Sequence, residues 1–184
     1  LFKKNITYLV ELKEQLNLTK NLSGKSNPKS STGRLDIFCR VITDYNSEYE
    51  IIKNGYKGKV YIEITSKTFD IIFTSGDKLN QLRLRNNNTV YLNDKEIYKI
   101  NIKNYFLYNA KNRPIKPLIK NGIRINADIS DIEKIIAFKA KKKSPKVIFN
   151  KFRFYKIDDF WISIKKNKYN SIIIEPNEFY ILKS

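Results

Sequence analysis

Apolar and polar residues alternate most cleanly over residues 59–65, KVYIEIT, which predicts a strand with Val60, Ile62 and Ile64 on one face and Tyr61, Glu63 and Thr65 on the other. Glu63 therefore does not share a layer with the isoleucines. A loop, DYNSEYEIIKNGYKG at 44–58, precedes this strand and contains the turn signal Asn54-Gly55. Upstream, RLDIFCRVIT at 34–43 reads as another strand, with Leu35, Ile37 and Cys39 on one face. Downstream, TFDIIFT at 68–74 and LNQLRLR at 79–85 read as short strands joined through a turn at Ser75-Gly76-Asp77. The polar segment TKNLSGKSNPKSSTG at 19–33, with Gly24, Pro28 and Gly33, predicts turn and loop. ITYLVELKEQL at 6–16 fits two periods: Ile6, Leu9, Val10 and Leu16 suit a helix, TYLVEL a strand. Short strands at this spacing predict a mainly β fold, as a barrel, sandwich or jelly roll.

Asn86-Asn87-Asn88 is a polar break and the expected domain boundary, giving units 1–86 and 87–184. Beyond it the pattern loosens through TVYLN, EIYKINIKNYFLYN, the proline-bearing NRPIKPL and GIRINADIS. IEKIIAFKAKKKSPKV at 132–147 predicts a short strand running into a basic loop, and IDDFWISI at 157–164 one helical turn capped by Asp158. The closing SIIIEPNEFYILKS resembles the opening ITYLVELKE, a tyrosine followed by alternating aliphatics and lysine, which suggests two copies of one module cut at equivalent places. The chain holds no methionine, even at its first position, and is expected to be an internal piece of a longer polypeptide.

Composition supports the β reading, since twelve tyrosines, eleven phenylalanines and many isoleucines suit a pleated, half-buried surface. A single cysteine, Cys39, rules out an intrachain disulfide. With no signal-like apolar stretch and no run long enough to span a bilayer, the expectation is a soluble, cytoplasmic protein without membrane association. Net charge is +18 and lies mostly in the second half. A polyanionic partner is one reading of it. The other is a dispersed lysine coat, because only seven of the 36 basic residues are arginine, the side chain favoured for bidentate phosphate contacts.

The absence of histidine excludes Ser-His-Asp and Cys-His catalysis and the HExxH zinc helix, and one cysteine cannot build a deaminase zinc site. Neither a Walker loop nor a dinucleotide fingerprint is present. What remains is carboxylate, hydroxyl, lysine, arginine and tyrosine chemistry. Lys29-Ser30-Ser31-Thr32-Gly33-Arg34 is either an anion cradle, in which small residues let backbone N–H groups approach phosphate, or a solvated turn. Glu63 is either an acid–base group or a charge on the wet face of a strand.

NPKSSTGRLDIFCRVITD at 27–44, GYKGKVYIEI at 55–64 and GDKLNQLRLR at 76–85 together resemble the dCTP deaminases, in their long, duplicated bacterial form. In the second half GIRINADIS, AFKAKKKSPKV, YKIDDFW and IIEPNEFYILKS are similar to the second copy of that form. The resemblance implies the distorted β jelly roll, or β-clip, of the dUTP pyrophosphatase superfamily, with 1–86 the motif-bearing C-terminal part of a first copy and 87–184 the N-terminal part of a second. It implies hydrolysis of dCTP to dUTP and ammonia, with Glu63, Ser30 and Arg34 as catalytic residues and Glu63 the carboxylate that moves the protons. Nucleotide binding would fall on Lys29, Ser30, Ser31, Thr32, Gly33, Arg34, Asp44, Tyr61, Ile62 and Gln81; Asp44 is taken as the sugar contact, displaced by an insertion, and Lys29 stands where the family usually has arginine. No cofactor is expected on protein side chains, and Mg²⁺ would accompany the triphosphate. A homo-oligomer is expected, as a trimer or pseudo-trimer of repeats, with no nucleic acid partner. The alternatives are a dUTP pyrophosphatase or bifunctional enzyme within the superfamily and, outside it, a basic β-rich module stacking single-stranded nucleic acid on its aromatics.

Overall fold

The computed structural model describes residues 1–86, 91–109, 111–127, 129, 135–169 and 171–182. In its first half the chain runs through β1 (Thr7–Asn17), β2 (Leu22–Pro28), α1 (Ser30–Gly33), β3 (Ile37–Thr43), β4 (Ile51–Ile52), β5 (Lys57–Ser66), β6 (Ile71–Ile72) and β7 (Asn80–Asn86). The second half supplies α2 (Asp94–Lys103), β8 (Ala137–Ala140), β9 (Val147–Ile148), α3 (Ile157–Phe160), β10 (Trp161–Ile164) and β11 (Tyr180–Leu182). The fold is mainly β, as the alternation predicts. Asn87 and Asn88, on which the expected boundary falls, lie outside the described residues.

The alternation in 59–65 becomes the organising strand. β5 is central in the antiparallel sheet β1-β5-β3, and Val60, Ile62 and Ile64 turn inward and are buried. Each such residue contributes about 1.5–3 kcal/mol by leaving water. Tertiary pairing resolves the two-period segment as a strand, since eight of the eleven residues of β1 pair with β5, on either side of an irregularity between Glu11 and Gln15. The strand begins after Gly55, whose φ of +68° is the left-handed conformation that the Asn54-Gly55 turn needs. A second antiparallel sheet, β4-β2-β7, faces the first. Between them Val10, Val41, Ile62, Ile52, Ser26 and Leu82 contribute to the lining of a cavity of about 660 Å³. Two sheets packed across apolar inner faces are the sandwich layering that short strands imply.

The core does not stop at the first half. Ile37, Cys39, Ile62, Ile64, Phe69 and Ile71 pack in one cluster with Ala140, Val147, Phe149 and Phe160. Phe69 meets the rings of Phe160 and Trp161 edge-on at 5.8 and 5.6 Å between centroids. β6 pairs in parallel with β9, Ile71 against Val147, and the Val147 amide donates to the Asp70 carbonyl at 2.9 Å. The third sheet, β10-β8-β11, is antiparallel and holds the predicted short strand at 137–140, followed by the predicted basic loop.

Three local expectations are corrected. The polar segment at 19–33, read as turn and loop, contains the strand β2, held between β4 and β7 by its backbone pairing in spite of its polar side chains. Residues 94–103 form a helix where the β-weighted reading saw no helical element. The cause is a capping box: Asn93 accepts from the Glu96 amide at 3.1 Å, and the Glu96 carboxylate accepts from the Asn93 amide at 2.8 Å. The helical turn at 157–160 is present, but Asp158 lies inside its first turn, and the N-cap is Lys156 with no side-chain bond. Among the described residues no helix is long and apolar enough to cross a membrane.

Candidate functional site

Strand pleating that buries Ile62 and Ile64 puts Glu63 on the outer face of the sheet, in a row with Leu9 of β1 and Arg40 of β3. The side chain is only 20% exposed despite facing outward. What covers it is local. Arg40 donates to Oε1 from Nε at 3.0 Å and from Nη2, and the Tyr49 hydroxyl donates to Oε2 at 3.2 Å. The Arg40 guanidinium lies over the Tyr49 ring, 3.9 Å from its centre. The bond to Glu63 also raises the Arg40 pKa above its ordinary value, so this cation stays charged at every working pH. Along this outer face Tyr61 and Thr65 flank Glu63 on β5, Leu9 and Phe38 stand exposed beside it, and a separate Lys59–Glu11 ion pair lies beyond Tyr61.

The hydroxyl-rich segment folds as the single turn α1 after β2. Lys29 anchors it, its amide donating to the Leu79 carbonyl at 2.8 Å and its carbonyl accepting from the Thr32 hydroxyl at 2.5 Å. Thr32 is fully buried and spends its hydroxyl on this internal bond, so it shapes the turn. Ser31 Oγ is buried with no partner among the described residues, a position that costs about 1–3 kcal/mol. Ser30, Gly33 and Arg34 are exposed, and among the described residues the Arg34 side chain makes no hydrogen bond or ion pair. Gln81, exposed on β7, pairs with Asn27 and so stands at the same end of the molecule as α1.

The predicted residues thus gather in two places. Lys29 to Arg34 and Gln81 share the end where β2 meets α1 and β7 begins. Tyr61, Ile62 and Glu63 lie on β5, where Ile62 has its side chain in the core and offers only its backbone outward. Asp44 is exposed just past β3; its amide donates to the Tyr56 hydroxyl at 3.2 Å, on the Val60 side of Glu63. Within one chain no hydrogen bond or ion pair among the described residues joins Ser30, Ser31 or Arg34 to Glu63. The expected approach of Ser30 and Arg34 to the carboxylate is replaced by Arg40 and Tyr49. A cleft of about 290 Å³ lies between the groups, bordered by Pro28 and Gly33 on the α1 side and by Arg40 and Glu50 on the other. Sequence reasoning missed Arg40 and Tyr49. Arg40 carried a signal in its alternation with Cys39 and Val41, which puts it on the outer face with Glu63 once β3 and β5 pair.

As chemistry, the arrangement offers a carboxylate with both oxygens held by side-chain donors and a hydroxyl-rich turn across a cleft. Among the described residues no group of three or more His, Cys, Asp and Glu side chains could hold a metal ion.

Residues 1–88 match the family model for the 2'-deoxycytidine 5'-triphosphate deaminase (DCD) N-terminal domain, and residues 93–184 that for the 2'-deoxycytidine 5'-triphosphate deaminase (DCD) C-terminal domain. A comparison with curated proteins finds no match. Among solved structures, the chain is similar to the crystal structure of 2'-deoxycytidine 5'-triphosphate deaminase from Agrobacterium tumefaciens, with a TM-score of 0.88 and 34% identity over 98% of this chain. This chain spans 53% of that relative's length.

Proposed function

The chain belongs to the 2'-deoxycytidine 5'-triphosphate deaminase family, and from that premise we propose that the full-length protein hydrolyses dCTP to dUTP and ammonia. Glu63 takes a proton from the water that attacks C4 of the cytosine and gives it to N3, then takes the proton of the new C4 hydroxyl and gives it to the amine, which leaves as ammonia while the C4 carbonyl forms. Lys29, Ser30, Ser31, Gly33, Arg34 and Gln81 receive the triphosphate end of the nucleotide, with Thr32 holding the turn together. The backbone at Tyr61 and Ile62 meets the base, and Asp44 the sugar. Mg²⁺ enters with the triphosphate as part of the substrate.

One observation carries the reading: a carboxylate with both oxygens held, on the outer face of the central strand, in a chain matching both domains of the family. The separation of Glu63 from α1 within one chain, and the exposed Leu9 and Phe38 beside it, support a site completed by another copy or repeat. A homo-oligomer of three such units is the corresponding assembly, and the cytoplasm is the corresponding compartment.

Incubation of the full-length protein with dCTP, with ammonia and pyrophosphate followed separately, tests the reaction. Ammonia without pyrophosphate is expected; pyrophosphate without ammonia would replace deamination by phosphate-end hydrolysis. Arg34→Ala is expected to weaken both nucleotide binding and turnover, by about tenfold to a hundredfold, the worth of a hydrogen bond to a charged group. Wild-type kinetics in that variant would remove Arg34 from the site.

A further inference from the structure

Both oxygens of Glu63 are engaged by side chains from separate segments, Arg40 on β3 and Tyr49 in the loop before β4. Those two side chains also hold each other, with the guanidinium 3.9 Å from the centre of the phenol ring. Three contacts close a triangle around one carboxylate. Arg40 is 46% exposed, and an ion pair this open to solvent adds little to stability. Ordering two long side chains about a carboxylate therefore calls for a use other than folding. A planar fork that gives two N–H groups to one oxygen while stacking on a ring fixes orientation in a way a lysine point charge does not. Proton transfer demands that orientation, because reacting atoms must sit within a few tenths of an ångström of a productive geometry.

We propose that Arg40 and Tyr49 are positioning residues that fix the Glu63 carboxylate for proton transfer, a role that rests on the deaminase reading of Glu63. Arg40 also borders the cleft that Pro28 and Gly33 line on the α1 side. It is thus the side chain that joins the acid to the space leading toward the hydroxyl cluster. Tyr49 comes from the loop between β3 and β4, so the connection that holds Asp44 also supplies the second holder of the carboxylate.

The test compares Arg40→Gln, Arg40→Lys and Tyr49→Phe with wild type in the full-length protein, measuring ammonia release from dCTP with kcat and KM separated, and thermal unfolding for each. Arg40→Gln is expected to lose about a hundredfold in kcat with KM nearly unchanged, the pattern of a misplaced reacting group. Tyr49→Phe keeps the ring beneath the guanidinium and is expected to lose about tenfold, for one hydrogen bond to a charged oxygen. Arg40→Lys is expected to recover part of the loss without reaching wild type. Wild-type kcat in the variants overturns the assignment, as does a raised KM with kcat unchanged, which would make Arg40 a substrate contact. Should Arg40→Gln fail to fold, Tyr49→Phe decides alone, since full kcat at an unaltered unfolding temperature would contradict a positioning role. Absence of ammonia release by wild type overturns the deaminase reading and this assignment with it; loss of the effect in variants of an active enzyme overturns the assignment alone.

Discussion

Two of the three-stranded sheets carry an ion pair on their central strand, and they differ in what surrounds it. In β1-β5-β3 the central strand bears the acid, Glu63, with one cation and one phenol around it, Tyr61 next along the face and a separate Lys59–Glu11 pair beyond. In β10-β8-β11 it bears Lys139, whose ammonium lies 2.5 Å from Glu175 and 3.6 Å from Glu178, while Lys142 reaches Glu178 at 2.9 Å. The second arrangement alternates charges so that each is answered by others, and it braces neighbouring segments. The first keeps a single carboxylate between rigid donors beside a cleft. Alternation around the second pair spreads its role over four groups; among the described residues the Glu63 carboxylate shares the hydrogen bonds of its two donors with no other acid.

Substitution at the two centres should break this comparison most sharply. Glu63→Gln preserves shape and hydrogen bonding, and is expected to fold and bind dCTP while losing about 10²–10⁴-fold in kcat, the range of general acid–base catalysis. Lys139→Gln should leave turnover close to wild type in the same steady-state assay. Retained turnover in Glu63→Gln, or its loss in Lys139→Gln, would reverse the roles.

The two sheets are joined through the aromatic core, so the next effect is on stability. Phe69→Ala removes a ring that is buried against Phe160 and Trp161 and is expected to cost about 3–5 kcal/mol by chemical denaturation. A loss below about 1 kcal/mol would mean that the halves do not share a core.

A smaller, pH-dependent effect separates the brace from the site. A hydrogen bond from Lys142, with the charge of Lys139 adding to it, holds the Glu178 carboxyl below its usual range. Its folded value lies below its unfolded value, so its stabilisation is complete above the unfolded pKa and is lost as pH falls through the folded one. Lys139 works in the opposite sense: bonded to Glu175, it is raised, so its contribution is complete below the unfolded pKa of lysine and lost as pH rises through the folded value. Melting temperatures of wild type and Glu178→Gln should differ at neutral pH and converge on acidification. A constant difference would assign the effect to packing.

The smallest expected effect is at Cys39, where burial first and the Glu50 charge second push the thiol up to about 12. Thiol reagents at neutral pH should modify it no faster than the protein unfolds. Rapid labelling would mean that the Cys39 end of the cleft opens.

What the sequence made legible was local. Val60, Ile62 and Ile64 alternate with Tyr61, Glu63 and Thr65, and the strand, its buried face and the outward acid follow from that pattern alone. The α2 helix was equally local but was overshadowed by β-type composition, although Asn93 and Glu96 stand at capping-box spacing. The partners of Glu63 were not legible because they depend on register. Only when β3 pairs with β5 so that Arg40 falls opposite Glu63 does that arginine acquire a role, and Tyr49 reaches the carboxylate from a loop with no periodicity. The pairing of β6 with β9 across the chain is non-local in the same way.

Water enriched in the heavy oxygen isotope gives the most direct test that Glu63 delivers water to the nucleobase. With dCTP and the full-length protein, mass spectrometry should find the label in the uracil C4 carbonyl of dUTP and none in its triphosphate, and base labelling should collapse in Glu63→Gln. Label appearing in the phosphates while the base stays unlabelled, or base labelling undiminished in Glu63→Gln, would contradict the account.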